Sequence, residues 1–178
     1  MITESIKDRI KRHFLINPTA RLRVRQIERA VKVPLPSAIR YARELEKEGI
    51  LRSTILAEVK TYSADRASRR FLAEKRFFNL SQLLSSGLID SLITEYSNPN
   101  IVVFGSYSRG EDTEDSDIDI YMESAAKGRI ECPERFQRRL QRNVHIIVHR
   151  NLHDIGNKEL ANNIINGVVV NGFIEVFR

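Results

Sequence analysis

Apolar positions recur at helical spacing along the first third of the chain. Ile6, Ile10 and Phe14 stand four apart with charges between them, which predicts an amphipathic helix over 2–15, ended by Asn17-Pro18. Ile27, Ala30 and Val31 mark a second short helix, closed by Val33-Pro34-Leu35-Pro36. Ser37 then offers an N-cap, and Ala38, Ala42 and Leu45 form a third stripe that stops at Gly49. Ile50-Leu51, 53–59 and Thr61-Tyr62 follow as short β segments, enough for a hairpin. Over 66–96, Phe71, Leu72, Phe77, Phe78, Leu80, Leu83 and Leu84 predict a buried helix. Leu88, Ile89, Leu92 and Ile93 predict another after Gly87.

Beyond that point the period changes. Ile101 to Phe104 is a short apolar run expected as a buried strand, cut off by Gly105-Ser106. The sequence Asp117-Ile118-Asp119-Ile120 alternates as a second strand. A loop is expected over 123–130, and a helix opened by Pro133 and running to about Gln141 on Phe136 and Leu140. A third strand over 143–149 puts Val144, Ile146 and Val148 on one face and His145, Ile147 and His149 on the other. A helix over 152–166 and an extended segment over 167–177 complete the reading.

Charge separates the chain into parts. Residues 1–65 hold 14 Lys and Arg against 8 Asp and Glu, whereas 66–178 hold 15 against 15, so the net charge of +6 lies entirely in the first third. Within 101–123 the balance is 1 basic residue against 7 acidic. A basic module thus precedes an acidic centre, and the basic part points to nucleic acid. A single cysteine, Cys132, excludes an internal disulfide and has no legible base beside it to make it a nucleophile. The opening residues lack the apolar core of a signal peptide and no apolar run approaches the ~18 residues that cross a bilayer, so a cytoplasmic location without a membrane role is expected.

The chemistry concentrates in 101–122. Asp117 and Asp119 share a strand face, about 7 Å apart at about 3.3 Å per residue. Two adjacent carboxylates disfavour one another's charge unless a cation joins them, and hard oxygens favour Mg²⁺ or Mn²⁺. Gly105-Ser106, at the end of a strand and the start of a helix, suits a phosphate. Glu111, Asp112, Glu114 and Asp115 are expected in a solvated loop, with Ser116 positioning the Asp strand.

Gly105-Ser106, ten residues, then Asp117-Ile118-Asp119-Ile120 resembles the signature of the polymerase-β-like nucleotidyltransferase superfamily in its minimal archaeal and bacterial form. The resemblance implies metal-dependent transfer of an NMP, AMP in the first instance, from an NTP such as ATP to an acceptor hydroxyl on a protein or nucleic acid. Asp117 and Asp119 would be catalytic and hold the metal, while Gly105, Ser106 and Arg109 would bind nucleotide, Arg109 pairing with phosphate or with the acidic loop. Related enzymes carry a third carboxylate on the neighbouring strand, where this chain has His145. Four accounts stay open: His145 as ligand or proton acceptor, completion by an acid such as Glu123 or Glu131, nucleotide binding with little turnover, and His145 without a role.

Residues 1–65 resemble a winged-helix DNA-binding domain, with Leu45-Glu46-Lys47-Glu48-Gly49-Ile50-Leu51 similar to the end of its recognition helix. The resemblance implies that Ser37, Arg40 and Tyr41 meet the major groove and that Arg43 and Lys60 meet phosphates. A protein-interaction surface is the other reading. The expected architecture is α+β: a winged helix-turn-helix over 1–65, a helical connector over 66–98, and a small nucleotidyltransferase domain with a mixed sheet over 99–178. The competing function is a DNA-binding regulator, antitoxin-like, whose second domain only senses nucleotide. A helical, toxin-like partner protein and a homodimer are the protein partners these resemblances imply.

Overall fold

The computed structural model describes residues 4–56, 58–125 and 128–177. The chain forms two compact units, Met1–Lys75 and Arg76–Arg178.

In the first unit, helix α1 (Ile6–Ile16) starts at Ser5, whose Oγ accepts the Asp8 N–H at 3.1 Å. Helices α2 (Val24–Val31) and α3 (Leu35–Lys47) follow, then strands β1 (Leu51–Leu56) and β2 (Val59–Ala64) in an antiparallel hairpin. Leu22, ahead of α2, bridges to Tyr62 on β2. The predicted apolar stripes supply the core: Ile10, Phe14, Ile27, Val31, Ala38, Ala42 and Leu45 are all buried. Ser37 is not the N-cap of α3. That helix begins two residues earlier, with Pro34 at the cap and Pro36 in the first turn, where the missing N–H costs nothing.

Helix α4 (Arg69–Ser85) is built differently from the expectation. Phe71, Lys75, Asn79 and Leu83, spaced by four, are its fully buried positions, whereas Phe77 and Leu84 are 75% and 50% exposed. The buried row is set by helical period, and it takes in two polar residues and leaves two large apolar ones outside.

The second unit adds α5 (Leu88–Glu95), β3 (Asn100–Phe104), α6 (Gly105–Arg109), β4 (Ile118–Glu123), β5 (Gly128–Glu131), α7 (Glu134–Leu140), β6 (Val144–His149), a 3-10 turn (Leu152–Asp154), α8 (Lys158–Ile165) and β7 (Val168–Asn171). The sheet runs in the order β5-β6-β4-β3-β7 and is mixed, with β4 and β6 parallel and the other pairs antiparallel. One face, with Val103, Ile118, Ile120, Val144 and Ile146, packs on Leu83, Leu88, Leu92, Tyr107 and Phe136. The other, with Val102, Phe104 and Tyr121, packs on Leu152, Ile155 and Ile164.

Two expectations for this unit need correcting. The segment expected as a loop over 123–130 ends in β5, which pairs with β6. The helix expected over 152–166 is a 3-10 turn and then a separate helix from Lys158, broken by Gly156 and capped by Asn157, whose Oδ1 accepts the N–H groups of Glu159 and Leu160. No helix among the described residues is long and apolar enough to cross a membrane.

Candidate active site

Strand β3 delivers the chain to Gly105, which opens α6 at φ +74°. An ideal Cβ there would lie 2.7 Å from Asp119 Oδ2, so the backbone approaches the carboxylate as closely as only glycine allows. Phe104 and Asp119 are direct partners across β3 and β4, which explains the juxtaposition. Ser106 follows at the start of α6, half-buried, and Ser108 ties the turn by donating to the Gly105 carbonyl at 2.9 Å. Arg109 Nε donates to Glu111 Oε2 at 2.8 Å in a solvent-exposed pair, the loop salt bridge of its two expected roles.

The paired acids stand as a unit with the residue on the next strand. Asp117 precedes β4, and Asp119 lies within it in register with His145 of β6. His145 Nδ1 is 3.7 Å from Asp117 Oδ2 and 3.7 Å from Asp119 Oδ1, within ion-pair reach but longer than a hydrogen bond. Asp117 Oδ1 accepts from Asn143 Nδ2 at 3.1 Å. Each carboxylate thus turns one oxygen to the imidazole and the other to a second element, Asn143 for Asp117 and the Gly105 turn for Asp119. The side chains of all three are a little over one-third exposed.

Converging carboxylate oxygens at an open face suit a hard divalent cation of the Mg²⁺ or Mn²⁺ class, which commonly takes one or two carboxylates and completes its shell with substrate phosphates and water. The absence of a Cβ at Gly105 lets the turn pack directly against Asp119 Oδ2. The imidazole suits Mn²⁺ better than Mg²⁺. Among the described residues no three His, Cys, Asp or Glu form a ready-made metal cage. The donor set therefore fits a cation that relies on its substrate for part of its shell.

The loop from α6 to β4 is not the solvated run expected of it. Asp112 is 1% exposed. Asn79 Nδ2 donates to Asp112 Oδ1 at 2.6 Å and to the Tyr107 carbonyl at 2.9 Å, and the Tyr107 hydroxyl donates back to the Asn79 carbonyl at 3.0 Å. Arg142 Nη2 stands 3.8 Å from Asp112 Oδ2, while its Nη1 donates to the Glu114 carbonyl at 2.5 Å. Ser116 Oγ accepts the Thr113 N–H at 2.9 Å, closing the turn that leads into Asp117. Burial holds the Tyr107 phenol well above its ordinary range, the Asp112 charge adding to the effect and Arg142 opposing it. Arg142 and Asn143 thus fasten this loop at two points, the first through Asp112 and Glu114, the second through Asp117.

An open cleft of about 490 Å³ adjoins Asp117, lined in part by Asp115, Ser116, Gln137, Arg138 and Asn143. Asn79, Arg142 and Asn143 were not picked out from the sequence, and Asp112 was expected only as a solvated loop residue; the one hint was the polar Asn79 four residues ahead of Leu83 on α4. Cys132 is buried and its thiol is pushed up to about 11 by that burial, in keeping with a packing role.

The nucleic-acid candidates lie on the first unit. Arg40 and Arg43 are exposed on α3, with Ser37 and Tyr41 half-buried. The Arg40 guanidinium stacks over the Tyr41 ring at 4.3 Å from its centroid and also reaches the Tyr41 hydroxyl. Lys60 on β2 is already paired: it donates to Glu46 Oε2 at 3.0 Å, and Ser53 donates to the other carboxylate oxygen. The Glu46 carboxyl is lowered first by the Ser53 hydrogen bond, and the Lys60 amine is raised by Glu46.

Residues 86–170 match the family model of the nucleotidyltransferase domain. That span includes the Gly105-Ser106 turn, Asp117, Asp119 and His145, and it supports the nucleotidyltransferase superfamily for this part of the chain. No curated protein and no solved structure matches the chain.

Proposed function

We propose that the second unit transfers an NMP, AMP in the first instance, from an NTP to an acceptor hydroxyl, and that the first is a winged-helix module that binds DNA. The observation that carries the enzymatic reading is the convergence of Asp117 and Asp119 on His145 Nδ1, 3.7 Å from each, beside a glycine turn whose backbone closely approaches Asp119. Asp117 and Asp119 would hold Mg²⁺ or Mn²⁺. When bound, that ion neutralises charge on the phosphates and polarises them toward attack. Gly105 lets the backbone approach the triphosphate, and Ser106 offers a hydroxyl donor. The acceptor oxygen forms a bond to the α-phosphorus, the bond from that phosphorus to the bridging oxygen breaks, and pyrophosphate leaves. His145, beside both acids, can accept the hydroxyl proton through a ring nitrogen. The cleft next to Asp117 provides room for an acceptor.

Incubation with α-labelled NTPs, Mg²⁺ or Mn²⁺, and protein or nucleic-acid acceptors tests this reading. Metal-dependent label transfer is expected, and its absence together with absence of NTP binding in calorimetry overturns the reading.

His145 at a position where a carboxylate would suit the cation better favours a second reading, a DNA-binding regulator whose nucleotide site turns over little or not at all. Metal-dependent NTP binding without transfer to any acceptor would select it. DNA binding is supported by the exposed Arg40 and Arg43 on one helix and by the excess positive charge of 1–65.

A further inference from the structure

We propose that Glu131 supplies a third carboxylate to the site, from β5 rather than from the strand beside Asp119; this rests on the nucleotidyltransferase reading above. In parallel register, Asp119 of β4 faces His145 of β6, and in antiparallel register His145 faces Glu131 of β5. The three residues form one row across three neighbouring strands. Directly paired residues present their side chains to the same sheet face. The alternation of β5 agrees: Ile130 and Cys132, on either side of Glu131, belong to the core of the opposite face.

Spacing is compatible with a shared role. Two interstrand steps of about 4.8 Å put the Asp119 and Glu131 Cα atoms about 10 Å apart, and the extra methylene of Glu lengthens its reach over the intervening imidazole. Glu131 is exposed, so its carboxylate can adjust without disrupting the core. Mg²⁺ and Mn²⁺ prefer oxygen to nitrogen, and a carboxylate flanking His145 on the side away from Asp119 offers the oxygen that the imidazole cannot. The competing account is that Glu131 is a charge blunting the outer edge of an edge strand.

Mn²⁺ binding separates the two without relying on turnover. Free Mn²⁺ is measured by electron paramagnetic resonance in titrations of the full chain with a non-hydrolysable ATP analogue present. Glu131→Gln is expected to weaken Mn²⁺ binding by at least about 10-fold, with the thermal transition unchanged because the residue is exposed. His145→Asp, which places a carboxylate directly beside Asp119, is expected to restore binding in the Glu131→Gln background. Glu95→Gln, at the end of α5, is the control and should bind as the unsubstituted chain does. Binding by Glu131→Gln within twofold of the unsubstituted chain overturns the proposal and assigns Glu131 to edge protection, leaving the parent reading intact. Failure of the unsubstituted chain to bind Mn²⁺ with the analogue overturns both.

Discussion

Replacing Asp112 by Ala removes a carboxylate that two other elements have been built to meet. Its side chain is wholly buried, accepts a 2.6 Å hydrogen bond from Asn79 and lies 3.8 Å from the Arg142 guanidinium, which is itself 12% exposed. The substitution leaves the Arg142 charge buried without its counter-ion, an effect worth about 3–5 kcal/mol when one member of a buried pair is removed. The stranded Asn79 amide keeps the Tyr107 carbonyl and adds less. For a unit of about 100 residues, where 1 kcal/mol moves the midpoint by roughly 4–8 °C, a fall of at least about 12 °C is expected in the transition of the second unit. Differential scanning calorimetry and urea unfolding measure it.

The partner substitution Arg142→Met strands the wholly buried Asp112 carboxylate and should also destabilise. The loss is offset in part because Arg142 Nε is already buried with no acceptor, a burden of about 1–3 kcal/mol that the substitution relieves. Asp112→Leu combined with Arg142→Met removes both charges and should recover most of the loss caused by Asp112→Ala, since apolar replacement of a buried pair is often neutral. Glu111→Ala, one residue away but exposed and in a solvent-exposed ion pair with Arg109, should stay within about 0.5 kcal/mol of the unsubstituted chain. If Asp112→Ala and Glu111→Ala cost the same, or if the two charge removals add with no coupling in a double-mutant cycle, the clamp does not exist as described.

Gly105→Ala forces a Cβ to 2.7 Å from Asp119 Oδ2 at a φ that disfavours side chains, so metal-dependent nucleotide binding should fall at least about 10-fold for about 1–2 kcal/mol of stability, read by calorimetry and thermal unfolding. The Tyr107 phenol has a folded pKa above its ordinary value of 10.0, so its share of stability is complete below that pH and declines as pH rises past it. Urea midpoints between pH 8 and 11 should therefore fall less steeply in Tyr107→Phe. For duplex DNA, fluorescence anisotropy across salt concentrations should show Arg43→Ala reducing the salt slope by about 1. Lys60→Ala should do less, because Glu46 already holds that ammonium, and Glu46→Gln should tighten binding.

How far the sequence speaks depends on whether a feature is periodic or a matter of pairing. The continuous apolar run of Ile101 to Phe104 predicted β3, and the alternation of Asp117 to Ile120 and of Val144 to His149 predicted β4 and β6 and the faces their residues take, because period two needs no knowledge of neighbours. The row from Asp119 through His145 to Glu131 needs two strand registers, one of them parallel and joined by a crossover, and no local pattern encodes either. Strand β5 was missed for a related reason: it is four residues long at a sheet edge, and it opens on Gly128, which by itself signals a loop.

The clamp shows why composition misleads where period does not. A run of Glu, Asp, Thr, Glu and Asp before Ser116 has the hydrophilicity of a solvated loop, yet one of its carboxylates is among the most buried side chains of the unit. What calls it inward lies on another element. Asn79 occupies a buried position in the four-residue row of α4 that runs from Phe71 to Leu83, and a polar group so placed needs partners to offset its desolvation. Tyr107 and Asp112 provide them. Once Asp112 is inside, its charge requires Arg142, and Arg142 brings Asn143 beside Asp117. A polar residue on the buried stripe of a helix is thus the legible end of a chain of contacts that finishes at Asp117. It follows that Asn79→Leu, although it improves the apolar pattern of α4, should loosen the loop before Asp117. Hydrogen exchange of the Thr113 and Ser116 amides, which bond to Ser116 Oγ and to the Thr113 carbonyl, should accelerate in that variant, and unchanged protection would break the link between the helix and the site.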